Sequence, residues 1–499
     1  MTELKRSSGL LLHPTSLPGP YGIGDIGEAA YRWVDFLVRA KQRIWQILPL
    51  GPTGYGDSPY QTSSVFAGNP LLIDVARLAR EEFITNEALI NAPSFSEGRV
   101  NFETVINWKL PLLLEAANNF LQKAGGEEKN AYQDFCNRNN GRWLHGFAFF
   151  MALKNHFGGG AWSDWPAELK LRNYEALQSH ENQLKHEIEL YKVLQYLFYK
   201  QWFDLKHYAN ENGIQIMGDI PIYTSYDSAE VWANQDYFHL DTDGNPEVVA
   251  GVPPDLFSKT GQLWGNPLYR WEVLAKDGFR WWIERVEMNL QCVDLVRLDH
   301  FRGFEGYYAV PFGDPTAEHG EWNTGPGSAF FDKLIERLGD IPFIAENLGF
   351  ITPEVEALRE KYNYPGMKIL QFAFDSGPEN DFLLHHHDKN CVVYTGSHDN
   401  DTTSGWFQKA SEDEKDYLIK YLGRQPEDIA WELIRLAFAS PAVLAIIPMQ
   451  DVLGLDSSAR MNMPGNPSGN WSWRLLPDQI SEHHAKRLAE FSEIYGRTG

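Results

Sequence analysis

A chain of 499 residues, 43% hydrophobic and 22% charged, is long enough for a large core with one or more insertions and has the composition of a soluble globular enzyme. Acidic residues outnumber basic ones by 67 to 44, for a formal charge of −23. That balance argues against nucleic acid or anionic membranes as partners and suits a neutral substrate. The 17 Trp and 22 Tyr serve either core packing or flat platforms for ligands such as sugar rings. Cys136, Cys292 and Cys391 are an odd, widely spaced set without a CxxC. The last two start apolar strands and read as buried thiols, which fits a reducing compartment. Leu10-Leu11-Leu12 is too short a run for a signal peptide, and no run of 18 apolar residues predicts a membrane span. The expected location is the cytoplasm, or a plastid if a transit peptide has been removed.

Residues 9–13 (G-L-L-L-H) predict a first short strand, followed by a Pro/Gly-rich loop over 14–24. A helix over 28–41 places Ala30, Trp33, Leu37 and Ala40 on one face. Residues 44–50 predict a second strand. Its exit loop, 51–70, is too long and too rich in polar and aromatic groups for a mere connector. Helical patterns over 105–123, 143–156 and 187–210 make 73–212 a mainly helical insertion. Gly158-Gly159-Gly160 within it lacks a following Gly-Lys-Ser/Thr and predicts a flexible turn rather than a phosphate loop. Strand pattern resumes at 214–222, with Asp219 near its end. The D-T-D-G at 241–244 lacks the Glu that a calcium loop needs twelve positions from its start, where Val252 stands. It predicts a hairpin turn between 237–240 and 247–249 instead. A second unusual loop, 251–267, is stiffened by Pro253-Pro254 and has Gly251, Gly261 and Gly265 as hinges; it lies in a smaller insertion, 223–275.

With strands at 10–12, 44–48, 214–217, 293–298, 343–345, 367–372, 392–395 and 443–447, the chain offers eight parallel-type strands. Helices such as 280–290, 328–338, 353–361 and 412–422 lie between or near them. Alternating strands and helices imply βα units, and eight strands close a barrel. The expected fold is therefore α/β, a (β/α)8 barrel running through 1–499. Residues 442–476 still look barrel-like, which leaves little room for a C-terminal β domain.

Three of these strands end in acidic residues. Residues 293–304 (V-D-L-V-R-L-D-H-F-R-G-F) put Arg297 and Asp299 on one side of a strand. A guanidinium beside a carboxylate favours its charged form, as a nucleophile requires, although a structural ion pair at a strand end would look the same. Residues 341–346 stop at Glu346, and 391–401 deliver His398, Asp399 and Asp401. Catalytic groups drawn from the ends of several strands are what a barrel active site uses.

Across nearly its whole length the chain resembles the 4-α-glucanotransferases (amylomaltase, or disproportionating enzyme) of glycoside hydrolase family 77. The resemblance rests on H-P-T-S-L-P-G-P-Y-G-I-G-D from His13, G-P-T-G-Y-G-D-S-P-Y-Q from Gly51, and G-D-I-P-I-Y from Gly218. It continues through G-V-P-P-D, W-G-N-P-L-Y, R-L-D-H-F-R-G-F from Arg297 and A-E-N-L-G from Ala345, to S-H-D-N-D-T-T from Ser397 and P-M-Q-D-V-L-G-L from Pro448. It implies a (β/α)8 barrel with inserted subdomains and no C-terminal β domain, and retaining transfer of α-1,4-glucan segments. By motif, Asp299 would be the nucleophile, Glu346 the acid/base and Asp399 a third carboxylate stabilising the transition state. Asn347 departs from the A-E-D-L-G more often expected, beside the acid/base, where it could alter hydrogen bonding.

Retaining transfer needs one ionised and one protonated carboxyl roughly 5–5.5 Å apart. The apolar Phe343-Ile344-Ala345 before Glu346 should raise its pKa, and Asp399 can bond sugar hydroxyls. The expected substrate-binding residues, in or beside the matched motifs, are Tyr55, Ser58, Tyr60, Asp219, Asp255, Phe257, Trp264, Arg297 and His398. Phe257 and Trp264 would stack an acceptor sugar, with Tyr55 and Tyr60 on the other side. No metal or other cofactor is expected, and His385-His386-His387 predicts a solvated polar turn. Maltooligosaccharides and α-1,4-glucans are the expected partners. An α-amylase-type hydrolase would use the same carboxylates. A non-enzymatic glucan-binding protein on a decayed fold would be expected to lose at least one of the three.

Overall fold

The structure, a computed structural model, describes residues 4–254, 258–466 and 468–499. Continuous apolar runs such as Cys391–Tyr394 cannot place one face in water, so they bury both faces in a parallel sheet. Eight strands do this: β1 Ser7–Leu11, β2 Ile44–Gln46, β3 Gln215–Pro221, β4 Leu295–Asp299, β5 Phe343–Ala345, β6 Gly366–Ile369, β7 Cys391–Tyr394 and β8 Leu444–Pro448. Their order is β6-β7-β8-β1-β2-β3-β4-β5, every paired neighbour parallel. The ends meet where the Ala345 N–H donates to Pro365 O at 2.8 Å, completing the (β/α)8 barrel expected from the strand count. β1 and β2 approach so closely that a Cβ on Gly9 would lie 2.3 Å from Ile44 O, a register only glycine permits.

Helices cover the barrel because one stripe of each is apolar. Glu28–Arg39 buries Ala30, Trp33, Val34, Phe36 and Leu37. Each large side chain of that set contributes about 1.5–3 kcal/mol by leaving water. Arg280–Cys292, Gly327–Leu338 and Pro353–Lys361 make the next crossovers, and Ile429–Ala439 leads into β8. The β6–β7 connection carries only 3-10 turns, Leu370–Phe372 and Leu384–His386. Between β2 and β3 the chain makes a series of helices, the longest being Phe102–Lys123 and Lys185–Glu211.

A four-stranded antiparallel sheet stands beside the barrel. It is built from Gln262–Pro267, Val248–Val252, Gly306–Pro311 and Glu321–Thr324, in that order. The stretch 251–267, expected as a loop, thus begins and ends in paired strands, with Gly251 opposite Leu263. The strands at 306–311 and 321–324 were not expected. Glu321–Thr324 is exposed throughout and has no apolar periodicity to betray it. The hairpin turn at 241–245 is present, closed by Asp241 N–H to Asn245 O at 2.8 Å.

The histidine triplet is not a uniformly solvated turn. His387 is buried, with Nδ1 2.7 Å from Ser440 Oγ and Nε2 2.8 Å from Phe382 O, and burial pushes its pKa down to about 4. Only His385 and His386 remain exposed. All three cysteines are buried and free.

Candidate active site

β3 and β4 lie side by side with Asp219 opposite Arg297 and Pro221 opposite Asp299. This register puts a buried guanidinium between two carboxylates. Arg297 Nη1 is 2.7 Å from Asp219 Oδ2 and 2.9 Å from Asp299 Oδ1. Asp299 sits at the barrel rim, its side chain 27% exposed, while that of Asp219 is fully buried.

Glu346 follows β5 and is bound by two backbone donors. His300 N–H reaches Oε2 and Leu348 N–H reaches Oε1, each at 2.8 Å. His300 can offer its N–H because it holds a left-handed φ of 51° immediately after β4. The same turn brings Phe301 N–H to the Glu346 carbonyl at 3.1 Å, so the rims of β4 and β5 are tied together. Asp299 and Glu346 are thereby fixed on neighbouring strand ends.

Three carboxyls share one cation here. Burial pushes Glu346 up to about 7, opposed first by Arg297 and then raised further by Asp299. Burial pushes Asp219 up to about 7 as well, opposed by Arg297, raised further by Asp299 and lowered by hydrogen bonds from Tyr60 and Arg297. The direct bonds from Arg297 favour the ionised forms of Asp219 and Asp299.

Tyr60, in the 51–70 loop, donates to Asp219 Oδ2 at 2.9 Å and stacks on His398 with ring centroids 5.2 Å apart and planes 11° apart. The loop is held down by Glu230, buried in the short helix Ala229–Ala233, which accepts from Ser64 Oγ at 2.6 Å and Val65 N at 3.2 Å. Ser58, in the same loop, accepts from the Tyr60 N–H at 3.2 Å. Tyr55, on the loop's outer edge, is 79% exposed.

Asp399 comes from the turn after β7. His398 Nε2 lies 3.4 Å from Asp399 Oδ1, and burial lowers the His398 pKa. Trp264, on the side sheet, places its ring 4.8 Å from the His300 ring at right angles, and 6.2 Å from Tyr223. Burial takes the His300 pKa down to about 4, so its ring is neutral at ordinary pH. Asp219 Oδ1, His300 Nε2 and Tyr223 Oη are buried without a protein partner. Asp255 and Phe257 lie outside the described residues. Among the described residues no group of three or more His, Cys, Asp and Glu side chains could hold a metal ion.

Sequence reasoning missed the segment that supports Asp399. Asn462 Nδ2 donates to Asp399 Oδ1 at 2.6 Å, and Arg460 donates to the Asp399 carbonyl at 2.5 Å. Trp471 packs 5.7 Å from Tyr60 and 6.0 Å from His398. The signal was the composition of 461–471, M-N-M-P-G-N-P-S-G-N-W, which is as unlike a connector as the 51–70 loop. The P-M-Q-D motif also acquires a reason. Asp451 accepts from Thr395 Oγ1 at 2.5 Å and from Thr403 N and Oγ1 at 2.7 Å, clamping both ends of the turn that carries Asp399.

Comparison with known proteins identifies the family and the fold. The family model described as 4-alpha-glucanotransferase matches residues 12–479. A 4-alpha-glucanotransferase of Thermus thermophilus is 51% identical over 503 residues, covering 99% of this chain and all of that protein. A chloroplastic/amyloplastic 4-alpha-glucanotransferase of Solanum tuberosum is 44% identical, covering 99% of this chain and 87% of that protein. The structure of an amylomaltase from Streptococcus agalactiae in complex with acarbose superposes with a TM-score of 0.95 at 42% identity, covering 99% of this chain and all of that one. Carboxyls gathered on the strand ends of a (β/α)8 barrel, and similarity over the full length, lead to one conclusion: the chain belongs to the 4-α-glucanotransferases of glycoside hydrolase family 77.

Proposed function

We propose that Asp299, Glu346 and Asp399 carry a retaining transfer of α-1,4-glucan segments between maltooligosaccharides or starch-like glucans. The observation that supports this best is the division of labour around Arg297: Asp299 is ion-paired at the rim, while Glu346 is buried and raised to about 7. Asp299 attacks the anomeric carbon as Glu346 gives its proton to the departing glycosidic oxygen. The bond to that oxygen breaks and an ester to Asp299 forms. Glu346, now ionised, then takes the proton of an acceptor 4-hydroxyl. That oxygen displaces Asp299, and the new linkage has the original anomeric configuration. Asp399 holds sugar hydroxyls through bonds that strengthen as the ring flattens. Tyr55, Ser58, Tyr60, Asp219, Asp255, Phe257, Trp264, Arg297 and His398 are the proposed binding set, and 73–212 and 223–275 are insertions that frame the barrel mouth. No resident cofactor enters this chemistry, and a cytoplasmic location is part of the proposal. The side sheet carries the 251–267 hairpin with Trp264 against His300, next to the nucleophile.

Transfer rather than hydrolysis requires that an acceptor outcompete water at the ester. In this reading Trp264 stacks such an acceptor and keeps water away. Trp264→Ala should weaken acceptor binding by about 1 kcal/mol or more and leave attack by Asp299 comparatively intact. The ester would wait longer, so the ratio of reducing-sugar release to glucosyl transfer on maltotriose should rise. An unchanged ratio with both rates lowered equally would mean that the ring only supports His300 and Tyr223.

A further inference from the structure

Asn347 follows Glu346 in the chain, yet its amide is engaged elsewhere. Its Oδ1 accepts the N–H of Met367 in β6 at 2.8 Å, and its Nδ2 donates to Glu356 Oε1 at 2.7 Å. Glu356 lies in Pro353–Lys361, and its other oxygen is held by Arg359 Nε at 2.8 Å and Nη2 at 2.7 Å. Arg359 also donates to Tyr364 O at 2.8 Å. This chain of bonds crosses the seam where the barrel closes between β5 and β6. Gly366 makes room for it, since a Cβ there would come 2.8 Å from Asn347 Nδ2.

The two partners make opposite demands. Met367 needs an acceptor and Glu356 needs a donor, and a carboxamide supplies both from one plane. An aspartate would keep the first bond but set an anion against the Glu356 carboxylate. The next peptide is the one whose Leu348 N–H binds Glu346 Oε1 at 2.8 Å. Anchoring the side chain of residue 347 on both sides of the seam therefore anchors that donor. We propose that Asn347 and Glu356 form a matched positioning pair, amide against carboxylate, that holds the Leu348 N–H on Glu346 and so sets the geometry of the acid/base. The proposal rests on the reading of Glu346 as that group.

Glu346 faces Arg297 and Asp299 of β4 and His300 beyond it, with Asp219 of β3 behind Arg297. Glu356 faces Arg359, which also lies 3.6 Å from Glu360. A backbone N–H bond favours the ionised form of Glu346. Loosening that bond, or adding a charge at position 347, would therefore move the basic limb of the kcat/KM profile to higher pH.

The test uses the full chain with maltotriose as substrate. Asn347→Asp is expected to lower kcat about tenfold or more with KM changed less than about threefold, and to raise the basic limb. Adding Glu356→Gln restores a donor opposite an acceptor, and the double variant should recover kcat and the wild-type limb. A double variant no better than Asn347→Asp, or an Asn347→Asp enzyme with the wild-type kcat and limb, overturns the pairing. Should the double variant fail to fold by circular dichroism, the limb of Asn347→Asp alone decides. Glu346→Gln run alongside separates the two readings. If it keeps the wild-type rate and limb, the acid/base assignment falls and this proposal falls with it. If it is inactive while Asn347→Asp matches wild type, the pairing alone is overturned.

Discussion

Asp299→Asn is expected to lower kcat on maltotriose by about a thousandfold or more. The substitution keeps the shape of the side chain but removes the anion that forms the ester. It should not unfold the barrel, because Arg297 retains its 2.7 Å bond to Asp219 and Tyr60 retains its own to the same oxygen. Binding of a maltooligosaccharide should survive within a small factor, since the ring contacts of Trp264, His300 and Tyr60 do not involve Asp299. Circular dichroism and calorimetric titration with maltotriose distinguish a chemical defect from a folding one. Retention of more than about a tenth of wild-type activity would mean that another group is the nucleophile.

Glu346→Gln should be nearly as damaging, but selectively so. With maltotriose the leaving oxygen needs a proton, and removing the acid should cost about a hundred- to ten-thousandfold. With α-maltosyl fluoride the leaving group departs without one. The variant should then release fluoride in a burst of about one equivalent per enzyme and turn over slowly afterwards, because the acceptor hydroxyl lacks its base. The wild-type kcat/KM with maltotriose should fall as pH rises through about 7, where Glu346 loses the proton it donates. That limb should be missing from the fluoride burst of the variant. Equal slowing on both donors would remove Glu346 from the acid role.

The barrel was legible because its strands are short apolar runs that no amphipathic element could imitate. The acidic residues at their ends marked the candidate site, and Arg297, two residues from Asp299, was readable as its neighbour on one face. What could not be read was partnership across the fold. Nothing local to Arg297 reveals that it serves Asp219 as well, since that depends on the register of β3 against β4. The same holds for Asn462 and Arg460, more than 60 residues from the carboxylate they support. The outer strand of the side sheet escaped because it is wholly exposed and is held by backbone pairing to its neighbour. His387 was misread for a related reason: three consecutive histidines look polar, but the burial of the third depends on Ser440 arriving from the end of another helix.

Transfer and hydrolysis part at the fate of the glycosyl-enzyme ester, and incubation with pure maltotriose tests that fate directly. Each linkage broken by transfer is replaced by another. Glucose should therefore appear together with a ladder of maltopentaose and longer oligomers while the total number of reducing ends stays constant. Maltose and glucose alone, with reducing ends rising in step, would mean that water takes the ester and would contradict the transferase reading.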